Sequence, residues 1–588
     1  MSTFTHDLTL PGLPLASPGA LCNSVPALAA PLLDETTLAG TLAALAEFVL
    51  PGGEAEMLHK ALVAHRDSLP GNTSWLRQLW DDDYLAWREP LPLNLNYCFR
   101  LEAFSKGQDT GLAAFILALA RVAALIGRAE LEAEKNRSGY QAMDQARSAF
   151  YTRIPASGAD ELLPVSLTAR PAITVLCRGF PFLVPLCYEG DTLAASGALE
   201  QCLTEIRTEA DRLAAAGELP GPAALTTGPR EQAAAIRAKL KEHALNRLSL
   251  AALEQSLLVL CLDSAEASED CFTRYLLGGP ADNRWFDKSL QIIAAEDGTF
   301  GINLEHAGCD AGIWACILNT MQELPAQADA ATAGSIPYRR LEWSIPDGLR
   351  SELEALSQAF RAASAKVDFA SGEFPELKRD ALKAMRTSPD SFVQVAFQLA
   401  QHHIFGRLRS SYEAVSMRGY AGGRTECARG CTQAALALAE AIKRNEADSV
   451  LLELYRRAER AHLNRLVSCQ RGQAVERYVY GLQAIYRLYG KEMGMFSPPV
   501  FFSDPGWKII KHDALSTSGM AAAGIRSFTF APVVPDGFGI GYVPGKTSTV
   551  ITATSFRDSG LKANAFIEAV SHSAACLARL LREDRVPT

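Results

Sequence analysis

Apolar residues recur at helical spacing through Ala27 to Leu50 (closing at Pro51-Gly-Gly53), Gly111 to Lys135, Arg230 to Leu250, Leu349 to Lys366, Pro389 to Gly406 and Gly472 to Tyr489, so each stretch predicts a helix. Between helices the period changes to two. Ser289 to Ala295 alternates, Glu296-Asp297-Gly298-Thr299 supplies turn residues, and Phe300 to His306 alternates again, which predicts a β-hairpin with His306 at its far end. That alternation puts His306 on the face of Phe300, Ile302 and Leu304, so its imidazole should leave the strand on the buried side. Phe528 to Val534, Pro535-Asp536-Gly537 and Phe538 to Tyr542 repeat the plan and predict a second hairpin. Both turns run from Asp-Gly into Phe-Gly-Ile, which points to a worn internal duplication. Gln327 to Ser335, rich in Ala, Thr and Gly, predicts an exposed connection.

Composition narrows the class. A chain of 588 residues exceeds what one core supports, so at least two domains are expected. With 57 Lys and Arg against 66 Asp and Glu, a net charge of -9, nothing overall calls for nucleic acid or an anionic membrane as partner. The 13 cysteines are scattered without paired metal spacing, which favours a reducing compartment and no zinc site. Leu112 to Gly127 is interrupted by Arg121 and falls short of the roughly 18 to 20 apolar residues a bilayer crossing needs, so a buried helix is expected there. Met1 to Gly19 has no basic targeting pattern, and Arg585-Val-Pro-Thr588 is not a peroxisomal tripeptide, which leaves the cytoplasm as the expected compartment.

The chemistry centres on His306, followed by Asp310. A lone histidine at a strand end is either a satisfied core residue or a base whose tautomer a nearby carboxylate fixes, and alternation alone leaves both open. Asn283-Arg-Trp-Phe-Asp-Lys288 and Asn303-Leu-Glu-His-Ala-Gly-Cys-Asp310 together resemble the active-site region of the carnitine and choline acyltransferase family. Tyr412-Glu-Ala-Val-Ser-Met-Arg-Gly-Tyr-Ala-Gly-Gly-Arg-Thr425 is similar to the family's second signature. Leu515-Ser-Thr-Ser518, Pro532 to Ile540 and Arg386-Thr-Ser-Pro-Asp390 resemble further family motifs in the same order. Weaker similarity at Leu13-Pro14, Trp75 to Leu85 and Arg153-Ile-Pro155 extends it over nearly the whole chain.

The resemblance implies an α/β fold of two similar domains, each a mixed β-sheet flanked by helices, of the CoA-dependent acyltransferase type, with the active site in a tunnel at their interface. Residues 71–348 would form the half carrying the histidine, and 1–70 with 349–588 the other. Transfer between a thioester and an alcohol needs one group to hold and return a proton, which an imidazole with a pKa near 6.5 does at neutral pH. His306 takes that role by resemblance, with direct attack of one substrate on the other and no acyl-enzyme. Asp310 would be its acidic partner, and a helix-start cap is the plainer reading. Ser518 resembles the oxyanion donor.

A carnitine acceptor brings a carboxylate and a quaternary ammonium. Arg477, Thr425, Tyr412 and Ser516 fall at positions that resemble the carboxylate site, and Phe530 at the aromatic neighbour of the ammonium. Lys378, Arg379, Lys383 and Arg386 supply positive charge for coenzyme A, with Arg379 and Lys383 matching its lysine positions; Asp390, Ala414 and Ser416 match other coenzyme contacts. Two residues depart from the pattern: Gly519 stands where Gln is common and Leu463 where Arg is frequent. Phe528 resembles the residue that sets acyl length, and its ring favours a short acyl group. The expectation is therefore a carnitine O-acyltransferase using a short-chain acyl-CoA as co-substrate, with no metal or resident cofactor, small-molecule partners, no nucleic acid, no membrane span, and a monomeric state. The alternatives are a choline or polyol acceptor, a carrier-bound acyl donor, or an idle protein that binds coenzyme A and carnitine without catalysis.

Overall fold

The alternating segments form two mixed sheets, and the amphipathic segments cover them. The computed structural model describes residues 2–583 apart from 72, 107–108, 188–191, 265–268 and 326–335, so the expected connection Gln327 to Ser335 lies outside the described residues. The first sheet has eight strands, in the order Arg339–Arg340, Phe180–Pro185, Ala172–Cys177, Val259–Leu262, Leu290–Ala294, Phe300–Leu304, Tyr97–Leu101 and Ile525–Phe530. The expected hairpin is present, running from Leu290 opposite Leu304 to Ala294 opposite Phe300. Its turn is closed by Asp297, whose carboxylate accepts the Thr299 N–H at 2.9 Å, and by Gly298 at φ +84°. His306 lies two residues past the strand end.

Helix Gly111–Gly127 is buried along most of its length and packs against the sheet with Ala311–Glu323 and Ser196–Ala215. It ends at Gly127 rather than Lys135, and Ala129 at φ 57° turns the chain out of the helical path. Among the described residues no helix is long and apolar enough to cross a membrane. The opposite face carries Arg230–Lys241, Ala244–Glu254, Glu269–Leu277 and Asp347–Ala365. Arg230 to Leu250 is thus two helices, as is Ala27 to Leu50, which resolves into parts of Pro18–Ala29 and Glu35–Phe48. Pro31 lacks the N–H to continue the first of these, and Asp34 caps the second by accepting the Thr37 N–H at 2.9 Å. These amino-terminal helices, with Glu54–Ser68, pack on Glu476–Tyr489 and Pro505–Lys511 through Leu58, Leu62, Tyr478, Leu482 and Trp507.

The second sheet has six strands, in the order Val367–Phe374, Thr549–Phe556, Phe538–Pro544, Leu515–Gly519, Ser411–Ser416 and Thr425–Ala428. Helices Pro389–Phe405 and Ala563–Glu583 cover one of its faces.

The second expected hairpin does not form. Ile525–Phe530 pairs with Tyr97–Leu101 at the edge of the first sheet, whereas Phe538–Pro544 lies inside the second. Phe528 and Phe530 turn their outer carbonyls, which an edge strand would leave unpaired, toward the second sheet. There Thr552 donates its hydroxyl to the Phe528 carbonyl and Thr554 donates to the Phe530 carbonyl at 2.7 Å. The approach requires glycine: a Cβ at Gly539 would sit 2.7 Å from the Phe530 oxygen, and one at Gly541 would overlap the Phe528 carbonyl outright. The first strand sets its edge on the face of the second sheet instead of pairing alongside Phe538–Pro544, which also removes the structural basis for reading the two turns as duplicates.

Gly541→Ala should therefore destabilise the protein by about 2 to 3 kcal/mol, the cost of forcing a methyl into close-packed backbone. Chemical denaturation would register it as a lower midpoint, whereas Gly197→Ala, a helical site with nothing within 4 Å of the added carbon, should leave the midpoint unchanged or raise it.

Candidate active site

The loop after strand Phe300–Leu304 presents His306 between two aromatic rings. Tyr84 stacks on the imidazole with centroids 5.3 Å apart and planes 3° from parallel, and Tyr97 meets it edge-on at 5.1 Å. Burial among these rings holds the His306 pKa below its usual 6.5, Asp310 works to raise it, and the Arg424 cation reinforces the lowering. The ring is consequently neutral at pH 7 and able to accept a proton. Its Nδ1 is buried without a hydrogen-bond partner among the described residues, and the residue's own backbone works with Asp310 to favour the protonated ring.

Asp310 starts helix Ala311–Glu323 but makes no side-chain cap bond. Its carboxylate instead pairs with Arg424 Nε at 3.0 Å and accepts from Gln145 Nε2 at 3.2 Å, while Gln145 Oε1 accepts the Asp310 N–H at 2.7 Å. It thus acts on His306 across space, not through a described hydrogen bond. Arg424 comes from the other half of the chain; it donates to the Ala307 carbonyl at 3.1 Å, pairs with Asp81 at 3.0 Å and lies over the Tyr84 ring. Its guanidinium fixes the histidine loop against the second sheet.

Strand register gathers the other expected residues onto one face of that sheet. Tyr412 lies opposite Ser516, Ser416 opposite Thr425, and Ser516 and Ser518 opposite Gly539 and Gly541, the glycines beneath the crossing strand. Phe528 and Phe530 of the crossing strand stand opposite Phe99 and Tyr97 in the first sheet. Phe528 packs against Tyr97, Phe99 and Phe530 with centroids 5.9, 5.1 and 5.4 Å away, so a block of aromatic rings fills the space beside the histidine. Ser518 is half-buried, and neither it nor Ser516 has a hydroxyl partner among the described residues.

Arg477 is buried in helix Glu476–Tyr489. Its Nε donates to the Thr425 carbonyl at 2.9 Å, Nη2 donates to the Tyr412 hydroxyl at 2.8 Å and to Thr425 Oγ1 at 3.3 Å, and the guanidinium stacks over Trp80 at 4.2 Å. Glu426 reaches only its backbone N–H, and among the described residues no carboxylate forms an ion pair with the guanidinium. A buried cation held by neutral partners is an incomplete arrangement that an anionic ligand would complete.

The residues expected to meet coenzyme A fall in three places. Arg379 and Lys383 lie exposed on the short helix Arg379–Ala384, apart from the histidine. Ala414 and Ser416 share the Tyr412 face of their strand, whereas Asp390, at the start of helix Pro389–Phe405, belongs to a polar group on the other face. There Tyr542 donates to Asp390 at 2.7 Å, and His462 bridges Glu413 (2.7 Å) and Ser391 (2.9 Å). Asp390, Glu413 and His462 are also, among the described residues, a set whose donor atoms lie within 4.8 Å of one another, close enough to hold a cation. Burial and the neighbouring Asp390 push Glu413 up to about 7, and at His462 the Glu413 carboxylate outweighs burial and raises the ring's pKa, so the group satisfies itself by sharing a proton. Gly519 departs from the motif for a steric reason, because a Cβ there would lie 2.6 Å from the Tyr542 ring.

Motif reading missed Tyr84, Trp80, Tyr97, Gln145 and Arg424 as parts of the site. Arg424 stood within the quoted second signature, beside Thr425, and a cation there invited a partner. Trp80 and Tyr84 lay within the weakly similar stretch Trp75 to Leu85 without a role assigned to them, and Tyr97 and Gln145 carry no local signal, since their contacts join segments far apart in the chain.

The sequence matches the Choline/Carnitine o-acyltransferase family model over residues 13–572. It is similar to choline O-acetyltransferase of Danio rerio, 29% identical over 557 residues that cover 90% of this chain and 86% of that protein. It is also similar to carnitine O-acetyltransferase of Homo sapiens, 27% identical over 564 residues (92% and 88%), and to the muscle isoform of carnitine O-palmitoyltransferase 1 of Sus scrofa, 30% identical over 545 residues (84% and 67%).

Asp310→Asn should depress the His306 pKa further, because it removes the stronger of the two anions, Asp310 and Glu305, that favour the imidazolium and leaves the Arg424 cation less compensated. NMR titration of the His306 ring measures the shift directly; an unchanged or higher value would contradict the electrostatic arrangement.

Proposed function

The chain belongs to the choline/carnitine O-acyltransferase family, and we propose that it reversibly transfers a short acyl group, acetyl foremost, between coenzyme A and the hydroxyl of L-carnitine. The observation that carries the choice of acceptor is Arg477, a buried guanidinium oriented by Tyr412, Thr425 and Trp80 without a carboxylate of its own. Choline has no anion to offer it. Carnitine brings a carboxylate, which Arg477 takes by charge and Tyr412, Thr425 and Ser516 by hydrogen bonds. Phe530, half-buried on the crossing strand, offers a ring face to the trimethylammonium.

With the acceptor so placed, His306 Nε2 removes the proton of its hydroxyl as the oxygen attacks the thioester carbonyl. The tetrahedral oxyanion takes a hydrogen bond from the Ser518 hydroxyl. Collapse breaks the carbon–sulfur bond, and the departing thiolate recovers the proton from the imidazolium. Coenzyme A is a co-substrate in this reading. Arg379 and Lys383 meet its phosphates at the surface, Ala414 and Ser416 meet the remainder on the Tyr412 face, and Asp390 meets it from the helix end beyond that face. Phe528, wedged among Tyr97, Phe99 and Phe530, leaves room for a small acyl group.

Acetyl-CoA incubated with L-carnitine or choline and followed by thiol release tests the whole reading. Carnitine should support release, choline should support little, and His306→Ala should abolish the carnitine-dependent rate; Arg477→Asn should raise the carnitine KM by on the order of a hundredfold, a charge-assisted contact being worth about 2 to 3 kcal/mol. Faster release with choline would overturn the acceptor assignment. As pH falls, kcat/KM should drop through an apparent pKa below 6.5, because the base is lost when the depressed His306 protonates.

Acyl length is tested separately. Phe528→Gly should raise the decanoyl-CoA rate relative to acetyl-CoA by tenfold or more, about 1.4 kcal/mol of relieved crowding. An unchanged ratio would remove Phe528 as the determinant.

A further inference from the structure

Behind the His306 loop lies a row of charged and phenolic side chains that the proposed chemistry does not use. Arg153, Asp160, Arg230, Asp287 and Glu305 are almost entirely inaccessible, and a set of charges so deep is costly to desolvate. They form one connected chain: Arg230 pairs with Asp287 and Asp160 at 2.7 Å each, Arg153 pairs with Asp160 at 2.7 Å, and Arg153 Nη1 pairs with Glu305 at 3.0 Å. The chain ends at the residue before His306. Glu305 accepts the Tyr151 hydroxyl and also the Ala307 N–H at 3.0 Å, while the Tyr151 oxygen accepts the Gly308 N–H at 2.9 Å. Gly308 must be glycine for this, since a Cβ would overlap the Tyr151 ring.

We propose that Tyr151 and Glu305 are positioning residues for His306, a phenol–carboxylate pair that anchors the two peptide groups following it and thereby fixes the direction in which the imidazole leaves the backbone. The functional meaning rests on the reading of His306 as the base. The Ala307 and Gly308 N–H groups point inward to Glu305 and Tyr151, so the His306 and Ala307 carbonyls point outward, where Arg424 donates to them at 3.4 and 3.1 Å. The loop is held from both sides, by a network that includes the short strand Tyr151–Ile154 and by one cation from the second half of the chain. Such constraint has catalytic value, because a reacting group displaced by about 1 Å can lose on the order of a hundredfold in rate. The charged and titratable groups facing the imidazole are Tyr84, Tyr97, Asp310 and Arg424, with Glu305 preceding it. Loosening the loop lets water reach the ring, which moves its titration toward that of a free histidine.

The test is Tyr151→Phe, which removes one oxygen and keeps the ring, with three measurements on the full chain: steady-state kinetics, His306 titration by NMR and thermal melting. The expected result is a kcat about tenfold lower, KM for both substrates within twofold of the parent, a His306 titration shifted upward toward 6.5, and little change in melting temperature. Parent values for both kcat and the titration would overturn the proposal. So would a titration that stays put while melting temperature falls and KM rises, because Tyr151 would then support the fold alone. If the parent protein transfers no acyl group to any acceptor but the titration still moves in the variant, the positioning inference stands and the reading of the activity falls.

Discussion

The molecule depends on one crossing. Strand Ile525–Phe530 belongs by hydrogen bonding to the first sheet, yet its free edge is seated on the second, with threonine hydroxyls satisfying its outer carbonyls and two glycines allowing the backbones to touch. An edge strand normally exposes a row of unpaired groups. Here that row is the joint between the halves. Because Tyr97 stands opposite both Phe530 and Leu304, and Gly539 and Gly541 stand opposite Ser516 and Ser518, the crossing also sets the separation between the histidine loop and the serine strand. Close packing makes the joint stiff, since at the two glycines backbone meets backbone directly.

Across that joint the two buried arginines of the site contrast. Arg424 is matched by Asp310 and Asp81 and spends its remaining donors on backbone carbonyls, as a structural cation should. Arg477 has hydroxyls, a carbonyl and two aromatic rings around it but no anion paired with it among the described residues. A buried guanidinium cannot shed its proton at any accessible pH. Glu426 and Glu476 favour its charge only across space, and the lack of a paired anion among the described residues gives Arg477 a meaning that helix position alone could not supply. Arg424 has a second effect: with burial it disfavours the imidazolium, so His306 rests neutral.

How much of this was legible in the sequence depended on range. The Leu290–Leu304 hairpin could be read because its turn, alternation and register are local. Phe528 to Tyr542 carries the same local marks and goes to two different sheets, since the deciding contacts lie with Tyr97 and with Thr552 and Thr554. Helix ends were misplaced where a single residue, such as Asp34 as a cap, outweighed an uninterrupted apolar rhythm. The spaced motifs did mark Arg477, Tyr412 and Thr425 as a group, and the structure brings those three into contact. Tyr84 and Trp80, which stack on His306 and Arg477, lie in the Trp75 to Leu85 stretch whose weak similarity assigned no residue a role.

The period of a strand also explains how two separate polar groups lie within one short segment. In Ser411–Ser416, Tyr412 and Ala414 face the crossing strand, while Glu413 between them faces helix Pro389–Phe405 and joins Asp390 and His462. Tyr412 bonds Arg477; one residue later, Glu413 sits in a group that shares a proton near neutral pH. Alternation keeps that proton on the far side of the sheet from the imidazole. A group titrating near pH 7 can therefore exist within the same domain without contact with the imidazole.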